Sequence, residues 1–292
     1  MDRPLFSSFI SHIGHILGCK VIKIETVSGG DISKAYKIYT RTHRFFCKVN
    51  ENPSALQMFN TEKAGLEHIE HTKTIRVPEI LGCGQHRGIF YLLMEFIPSK
   101  SADSKAFETL GHQLAKMHSF PVGNSFGWRQ DNFIGSLAQS NKNHPDWSQF
   151  YVQERLLPQL KMANEKRLLD FDEIPSENKL VKGCQQFFTN TTPSLLHGDL
   201  WSGNYLIDNQ GIPYLIDPAV YYGHHEVDIA MTKLFGGFGS FFYKAYSEGF
   251  REIEGVKERT EIYQLYYLLV HLNLFGNPYS SPVKRLLKKY FG

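Results

Sequence analysis

Short runs of alternating apolar and polar residues dominate the first third of the chain. They predict strands over residues 20–26, 34–39, 45–49, 79–82 and 89–95. Helical spacing of apolar residues predicts an amphipathic helix over residues 6–17 and a second helix over residues 61–71. The last strand is almost continuously apolar, which is typical of a strand with a neighbour on each side. The pattern therefore favours a small antiparallel sheet with packed helices.

Apolar residues at helical spacing dominate the rest of the chain. They predict helices over residues 105–118, 147–169, 176–189, 228–235, 241–249 and 261–274. Two short apolar bursts, residues 195–196 and 214–216, interrupt the helical pattern. A polar, turn-forming stretch at residues 98–104 marks where the pattern changes. We therefore predict a two-lobed α+β fold, with a small antiparallel β domain over residues 1–97 and a mainly helical domain over residues 98–292.

Composition excludes several functional classes. With 292 residues, 42% of them hydrophobic, the chain can bury a large core. The formal net charge is only +3, and basic and acidic residues are interspersed, so no field suited to nucleic acid is expected. No window reaches the ~18 apolar residues of a membrane-spanning helix, and the four cysteines are scattered without metal-binding spacing. We expect a cytoplasmic protein with no nucleic-acid, membrane or obligate protein partner.

The strongest chemical signal is a polar loop after the first apolar burst. It reads His-Gly-Asp-Leu-Trp-Ser-Gly-Asn over residues 197–204, and Asp217 follows the second burst. In phosphoryl-transfer enzymes with this spacing, an aspartate accepts the proton of the attacking hydroxyl, while an asparagine and a second aspartate hold Mg²⁺ on the phosphates of ATP. Asp199 is therefore the predicted base, with Asn204 and Asp217 as metal ligands. Gly198 replaces the arginine that answers to activation-loop phosphorylation, so we expect no such switch.

An ATP site also needs a glycine-rich turn, a lysine on a strand and a glutamate on a helix. Gly29 and Gly30 lie between the first two predicted strands, although a simple hairpin would use the same residues. Lys48 is the only cation among the apolar residues of the third strand. Glu62 opens the predicted helix that follows and is the expected partner of Lys48. Glu67 on the same helix is a competitor for that role.

The adenine ring is expected at the proposed domain boundary. There the apolar strand runs into Glu95, Phe96 and Ile97. Main-chain groups of Glu95 and Ile97 would bind the base, an inference from position because backbone contacts leave little sequence signature. An ordinary strand leaving the core is an equally good interpretation.

Several motifs together resemble those of the fructosamine kinase (ketosamine 3-kinase) family, a branch of the protein-kinase-like fold related to aminoglycoside and choline kinases. The resemblance covers nearly the whole chain and rests on residues 59–67, 93–95, 196–204, 216–219, 222–224, 235–238 and 275–277. Trp201, directly after the Asp-Leu pair, is the most discriminating residue. Asp31 departs from the family, since many eukaryotic relatives have cysteine there, and redox control through that thiol is not expected.

The resemblance implies ATP-dependent phosphorylation of the 3-hydroxyl of ketosamines, the products of amine glycation, free or protein-bound. It also implies Glu62 as the partner of Lys48 and Asp199 as the proton acceptor. A kinase for another hydroxylated amine, such as an aminoglycoside or choline, is the alternative. A nucleotide-binding pseudokinase fits poorly, because all the catalytic side chains are present.

The sugar-binding residues are less well marked by the sequence. Trp201 offers a flat apolar face beside the base, suited to a sugar. His224 and His271 are further candidates, and His271 is equally consistent with a hydrogen-bonded core histidine. Trp128, Asp131 and Asn132 lie in a Gly-, Asn- and Pro-rich loop that keeps its aromatic residues and could shape the entrance.

Overall fold

The computed structural model describes residues 3–27 and 33–292, which form two compact units. The first unit extends to Ser101 and includes Leu206–Asp217, whereas the second comprises Ala102–Tyr205 and Pro218–Gly292. The sequence pattern predicts a single boundary after residue 97, whereas in the structure Leu206–Asp217 belong to the first unit. Each unit has its own core.

The first unit is built on a five-stranded antiparallel sheet. Its elements are α1 (Arg3–Ile16), β1 (Lys23–Val27), β2 (Lys34–Tyr39), β3 (Arg44–Asn50), α2 (Ala55–Thr72), β4 (Ile80–His86), β5 (Ile89–Glu95) and β6 (Ser99–Lys100). The strand order is β1-β2-β3-β5-β4, so β5 lies between two neighbours, as its apolar sequence predicts. All its residues before Glu95 are buried.

Two helices cover the two faces of this sheet. From α1, Phe9 and Ile13 pack against Tyr91 and Leu93. On the other face α2 packs against the remaining side chains of β5. The helix α2 begins six residues before its predicted start, because Ala55 is buried in the same cluster and extends the apolar stripe.

Helices dominate the second unit. Its helices are α3 (Ser104–His118), α4 (Trp147–Phe150), α5 (Leu157–Glu165), α6 (Glu177–Phe187), α7 (Glu226–Leu234), α8 (Ser240–Gly249), α9 (Val256–Phe275) and α10 (Ser280–Phe291). The predicted helix over residues 147–169 is interrupted by a π-helical segment at Tyr151–Leu156 and ends at Glu165. Short 3₁₀ helices lie at Phe171–Glu173 and Asn277–Tyr279. The helix-rich interpretation of this region is confirmed.

The remaining strands are short. They are β7 (Asn132–Ile134), β8 (Leu137–Gln139), β9 (Ser194–Leu196), β10 (Tyr205–Asp208), β11 (Pro213–Leu215) and β12 (Tyr221–Gly223). β7 pairs with β8 inside the predicted aromatic loop, and β9 pairs with β12. In the first unit β10 lies between β11 and β6. In the described part of the chain, none of the helices is both long and apolar enough to cross a membrane.

Candidate active site

The polar loop follows β9 and is packed closely against the chain after Asp217. Gly198 has a φ of +84°, and a Cβ on this residue would lie 2.1 Å from the main-chain oxygen of Ala219. The Ala219 N–H also donates to the carbonyl of His197 at 2.8 Å. A side chain at position 198 is therefore excluded both by backbone conformation and by space. This explains why glycine, not arginine, precedes Asp199.

Asn204 orients the carboxylate of Asp199. Its Nδ2 donates to the main-chain oxygen of Asp199 at 2.8 Å and to Oδ2 at 3.1 Å. The Asp199 N–H in turn donates to Nδ1 of His197 at 3.2 Å. Asn204 is 5% exposed and His197 is fully buried, so the side of the loop that faces the core is held in place. Asp199 itself is partly exposed. With its nitrogen engaged, Asn204 can offer Oδ1 to a cation.

Asp228 of α7 binds the same loop from the core and is not among the residues predicted from the sequence. The N–H groups of His197 and Gly198 donate to its carboxylate at 2.7 and 2.9 Å, and Nε2 of His118 lies 3.1 Å away. Burial alone would raise the pKa of Asp228, but His118, His197 and the Gly198 N–H lower it overall. Asp228 therefore stays ionised and accepts the hydrogen bonds from the His197 and Gly198 N–H groups. In the sequence it is the first residue of the predicted helix over residues 228–235, where an acid is ordinary and gives no sign of this role.

Lys48 of β3 lies between two carboxylates of the first unit. Its Nζ donates to Oε1 of Glu62 at 2.8 Å and to Oδ1 of Asp217. The side chains of Lys48 and Glu62 are 14% and 15% exposed, whereas that of Asp217 is 42% exposed. Burial would lower the pKa of Lys48, but the charges of Asp217 and Glu62 raise it overall. The structure thus pairs Lys48 with Glu62 and not with Glu67. Glu67 is exposed, and its Oε1 forms an ion pair with Nζ of Lys63 at 3.6 Å.

Asp217 lies just past the end of β11 in a left-handed conformation, with a φ of +54°. Non-glycine residues rarely adopt this region, although aspartate does so more readily than most. This left-handed conformation turns the chain directly after the strand and leaves the Asp217 carboxylate partly exposed beside Lys48. Such strain is common where a side chain serves a site.

The two predicted metal ligands are oxygen donors. Asp217 offers a carboxylate, and Asn204 offers a carboxamide oxygen. These are the hard ligands that Mg²⁺ prefers, and the absence of histidine or thiolate from the set disfavours zinc. A second cluster, His224, His225 and Glu226, fits a metal poorly, because Arg259 donates to both carboxylate oxygens of Glu226 at 2.6 and 2.8 Å.

The predicted adenine segment lies at the end of β5. The Glu95 N–H donates to the carbonyl of Glu79 at 2.9 Å, and Ile97 is buried. Nζ of Lys37 lies 4.2 Å from the centre of the Phe96 ring. The role of these residues in binding adenine stays a prediction. Gly29 and Gly30 lie outside the described residues.

Trp201 is the most exposed of the predicted sugar-binding residues, at 40%. Its indole lies over Gly203, where a Cβ would be 2.4 Å from ring atoms Cη2 and Cζ2. Gly203 has no unusual φ that would require glycine, so the space taken by the ring accounts for its lack of a side chain. The polar loop thus presents a flat aromatic face two residues after Asp199.

His271 is half-buried in α9 within a group of aromatic rings. Its Nδ1–H donates to the carbonyl of Tyr267 at 2.8 Å, which fixes Nε2 as the acceptor. The rings of Phe235, Phe275 and Tyr279 lie 4.7, 5.5 and 5.1 Å from the imidazole, centre to centre. Phe235 and Phe275 are 41% and 52% exposed. This arrangement is compatible with the predicted sugar contact.

His224 is instead enclosed in the core of the second unit. It is 5% exposed, and its Nδ1 lies 2.9 Å from the hydroxyl of Tyr263. Burial and the charge of Arg259 lower the pKa of His224 to about 3. These features favour a packing role, and its predicted contact with substrate stays a prediction.

Comparison with known proteins identifies the relatives of the chain. The family model described as fructosamine kinase matches residues 7–292. A probable ketoamine kinase from Lactiplantibacillus plantarum is 40% identical over 271 residues, covering 92% of this chain and 94% of that protein. The chloroplastic protein-ribulosamine 3-kinase of Arabidopsis thaliana is 38% identical over 275 residues, covering 93% of this chain and 83% of that protein.

Solved structures agree with these matches. A candidate fructosamine-3-kinase from Haemophilus somnus 129PT has a TM-score of 0.89 and 27% identity, covering 99% of this chain and 98% of that one. The aminoglycoside phosphotransferase APH(4)-Ia, solved with ADP and hygromycin B, has a TM-score of 0.64 and 14% identity, covering 98% of this chain and 99% of that one. The predicted α+β, protein-kinase-like fold is confirmed.

Proposed function

The chain belongs to the fructosamine kinase family, and from this premise we propose that it transfers the γ-phosphate of ATP to the 3-hydroxyl of a ketosamine. One observation supports this reaction above all. Asp199 is held by Asn204, while an exposed indole follows it two residues later. A proton acceptor beside a flat apolar face suits a sugar hydroxyl as the attacking group.

The proposed reaction transfers a proton from the sugar hydroxyl to Asp199 and the γ-phosphoryl group from ATP to the oxygen of that hydroxyl. Asp199 accepts the proton of the 3-hydroxyl as its oxygen bonds to the γ-phosphorus, and the bond from that phosphorus to the bridging oxygen of ADP breaks. Asn204 and Asp217 would hold Mg²⁺, which neutralises the phosphates. Lys48, kept charged by Glu62, binds the phosphates as a cation. The turn at Gly29 and Gly30 would cover them with main-chain N–H groups, and the Glu95–Ile97 segment would bind adenine.

The sugar is bound by aromatic side chains. Trp201 packs against the carbon chain of the sugar, and Nε2 of His271 accepts a hydrogen bond from a hydroxyl or from the amine. A basic amine also suits the aromatic faces of Phe235 and Phe275, which are exposed beside His271.

The product explains a role in repair. A phosphate on C3 is a good leaving group once the neighbouring C2 carbonyl has enolised, so its loss followed by hydrolysis frees the original amine. The reaction would therefore remove glycation from amines. All four cysteines are free thiols, which supports a reducing compartment such as the cytoplasm.

A substrate screen tests the proposal. The purified chain is assayed for ADP release with fructosyl-lysine, ribulosyl-lysine, erythrulosyl-lysine, a glycated protein, free fructose and a set of aminoglycosides and choline. We expect turnover of the ketosamines and little of free fructose. Phosphorus–carbon coupling in the NMR spectrum of the product should locate the phosphate on C3.

Two outcomes would overturn the proposal. Turnover confined to aminoglycosides or choline would assign the chain to another substrate class on the same fold. ATP binding without turnover of any acceptor would support a nucleotide-binding protein without activity. Comparing lysine-linked and protein-linked ribulosamine separates a free from a protein-bound substrate.

A further inference from the structure

A buried network of three carboxamides lies behind the catalytic loop. It consists of Asn132, Gln139 and Asn141, called here the amide network, each less than 5% exposed. Asn132 and Gln139 face each other across the β7–β8 hairpin. The Nε2 of Gln139 donates to Oδ1 of Asn132 at 2.8 Å, and the Nδ2 of Asn141 donates to the same oxygen at 2.9 Å. The network is thus internally bonded.

The amide network binds the main chain that follows Asp217. The Nδ2 of Asn132 donates to the carbonyl of Val220 at 2.8 Å, and Nε2 of Gln139 donates to that of Ala219 at 3.3 Å. The Ala219 oxygen is the atom that leaves no room for a side chain on Gly198. The network therefore fixes the backbone that lies against the catalytic loop, one residue from Asp199.

Arg155 and Tyr266 donate hydrogen bonds to members of the amide network. Arg155 comes from the π-helical segment, is fully buried, and donates to Oδ1 of Asn141 at 2.7 Å and to the carbonyl of Ser140 at 2.5 Å. The hydroxyl of Tyr266 on α9 donates to Oε1 of Gln139 at 2.6 Å.

The environment of Arg155 is unusual for a buried charge. Among the described residues, its guanidinium has no carboxylate partner and its Nε has no hydrogen-bond partner. The faces of Tyr221 and Phe150 lie 3.9 and 4.7 Å from its guanidinium carbon. Carbonyl dipoles and aromatic rings thus replace a counter-ion, which orients the network without neutralising the charge. Insertions such as this π-helical turn are frequent at functional sites.

We propose that the amide network, with Arg155 and Tyr266, is a positioning device that keeps residues 219–220 against the catalytic loop and so keeps Asp199 in the geometry for phosphoryl transfer. The proposal rests on the proposed function. The three carboxamides are each less than 5% exposed, so in this proposal they act through the carbonyls of Ala219 and Val220 and not through contact with substrate. Loosening them should lower kcat and leave the affinities for ATP and ketosamine unchanged, because small displacements of reacting groups mainly affect the transition state.

Two tyrosines of the second unit provide a matched pair of variants. Tyr266→Phe removes the hydroxyl that bonds Gln139. Tyr151→Phe removes an equally buried hydroxyl from the π-helical segment that also carries Arg155. This hydroxyl donates to the carbonyls of Ile262 and Tyr263, at 3.0 and 3.2 Å, and to no member of the amide network. Both variants lose buried hydrogen bonds, so both should lose stability to a similar extent. Gln139→Met is a second network variant of similar shape.

Steady-state kinetics and hydrogen exchange of residues 216–222 are measured for each variant. We expect kcat to fall by about tenfold to a hundredfold for Tyr266→Phe and Gln139→Met, with both KM values within about threefold of the original protein. Amide protection of residues 216–222 should fall in the same two variants and stay unchanged in Tyr151→Phe.

Unchanged protection and unchanged kcat in the network variants would overturn the proposal, as would an equal loss of kcat in Tyr151→Phe. If the original chain phosphorylates no ketosamine, the proposed function fails. Hydrogen exchange then still decides the positioning proposal on its own, because it needs no activity.

Discussion

The carboxamide of Asn204 donates to both the main-chain oxygen and the carboxylate of Asp199, at 2.8 and 3.1 Å. The residue proposed to bind the metal thus also orients the proposed base. Because both residues lie in one short loop, the orientation of Asp199 does not require a bound nucleotide. A substitution that removes the charge of Asp199 but keeps the bond from Asn204 therefore tests the charge without changing the geometry of the loop.

Asp199→Asn should abolish phosphoryl transfer and keep the binding of MgATP within about tenfold. The new carboxamide retains an oxygen that can accept the bond from Asn204, so the loop should keep its shape, but it cannot accept the proton of the attacking hydroxyl. Single-turnover kinetics measures the transfer, and calorimetric titration measures binding. Turnover close to that of the original protein would reject Asp199 as the base.

Glu62→Gln should raise the KM for MgATP by at least about tenfold, because a charge-assisted bond to a buried lysine contributes about 1.5–3 kcal/mol. Without the Glu62 charge, Lys48 is left with Asp217 alone, and that pairing competes with metal binding. Initial rates over a range of MgATP concentrations measure the effect.

Glu67→Gln is the matched control on the same helix. Glu67 is 52% exposed, and its ion-pair partner in the described part of the chain is Lys63. Surface pairs of this kind contribute about 0–1 kcal/mol, so the kinetics should not change. Equal effects of the two substitutions would reject the Lys48 and Glu62 pair as an element of the site.

The helical periodicity of the sequence distinguishes Glu62 from Glu67 as the partner of Lys48. Buried residues Ala55, Phe59, Leu66 and Ile69 recur on one face of α2. Position 62 falls on that face, three residues after Phe59 and four before Leu66, whereas position 67 does not. Starting the predicted helix at residue 61 hid this periodicity. An earlier start would have assigned Glu62 to the sheet-facing side and Glu67 to solvent.

Other parts of the site have no comparable local signal. Asp228 binds main-chain N–H groups of residues about thirty positions earlier in the chain, and such contacts impose no spacing on the sequence. The amide network is of the same kind, because Asn132 and Gln139 bond carbonyls some eighty residues away. The candidate catalytic residues are marked in the sequence because their spacing is short and fixed by chemistry. The residues that support them are set by tertiary packing and leave no such spacing.

Gly203→Ala should raise the KM for the ketosamine and leave that for MgATP unchanged. A methyl group at this position would lie 2.4 Å from the Trp201 ring, so the indole must move, while the backbone conformation itself tolerates alanine. We expect an increase of about fivefold to thirtyfold, equivalent to the loss of about 1–2 kcal/mol of aromatic contact. Steady-state kinetics with each substrate varied in turn measures both constants.

Gly123→Ala serves as the control, since a Cβ there would meet no atom within 4 Å and its φ is not positive. Its kinetics should match those of the original protein. If Gly203→Ala leaves the ketosamine KM unchanged although the fluorescence of Trp201 shifts, the indole does not contact the sugar.

Acid should destabilise the protein through His224. Its pKa in the folded protein is about 3, against about 6.5 for the unfolded chain. The unfolded state therefore binds a proton that the folded state excludes. The contribution of His224 is fully present above about pH 6.5 and is lost as the pH falls towards 3, by about 1.4 kcal/mol per pH unit. Urea unfolding at pH 7.5 and pH 5 measures the loss.

His224→Gln should remove about 2 kcal/mol of that difference between the two pH values, because glutamine does not titrate and can still bond the hydroxyl of Tyr263. His71→Gln, at an exposed histidine, should leave the difference unchanged. The same His224 variant also tests the predicted sugar contact. A tenfold higher KM for the ketosamine, together with an unchanged pH dependence of stability, would assign His224 to the substrate. An unchanged KM together with a weaker pH dependence of stability would assign His224 to the core, which its burial against Tyr263 favours.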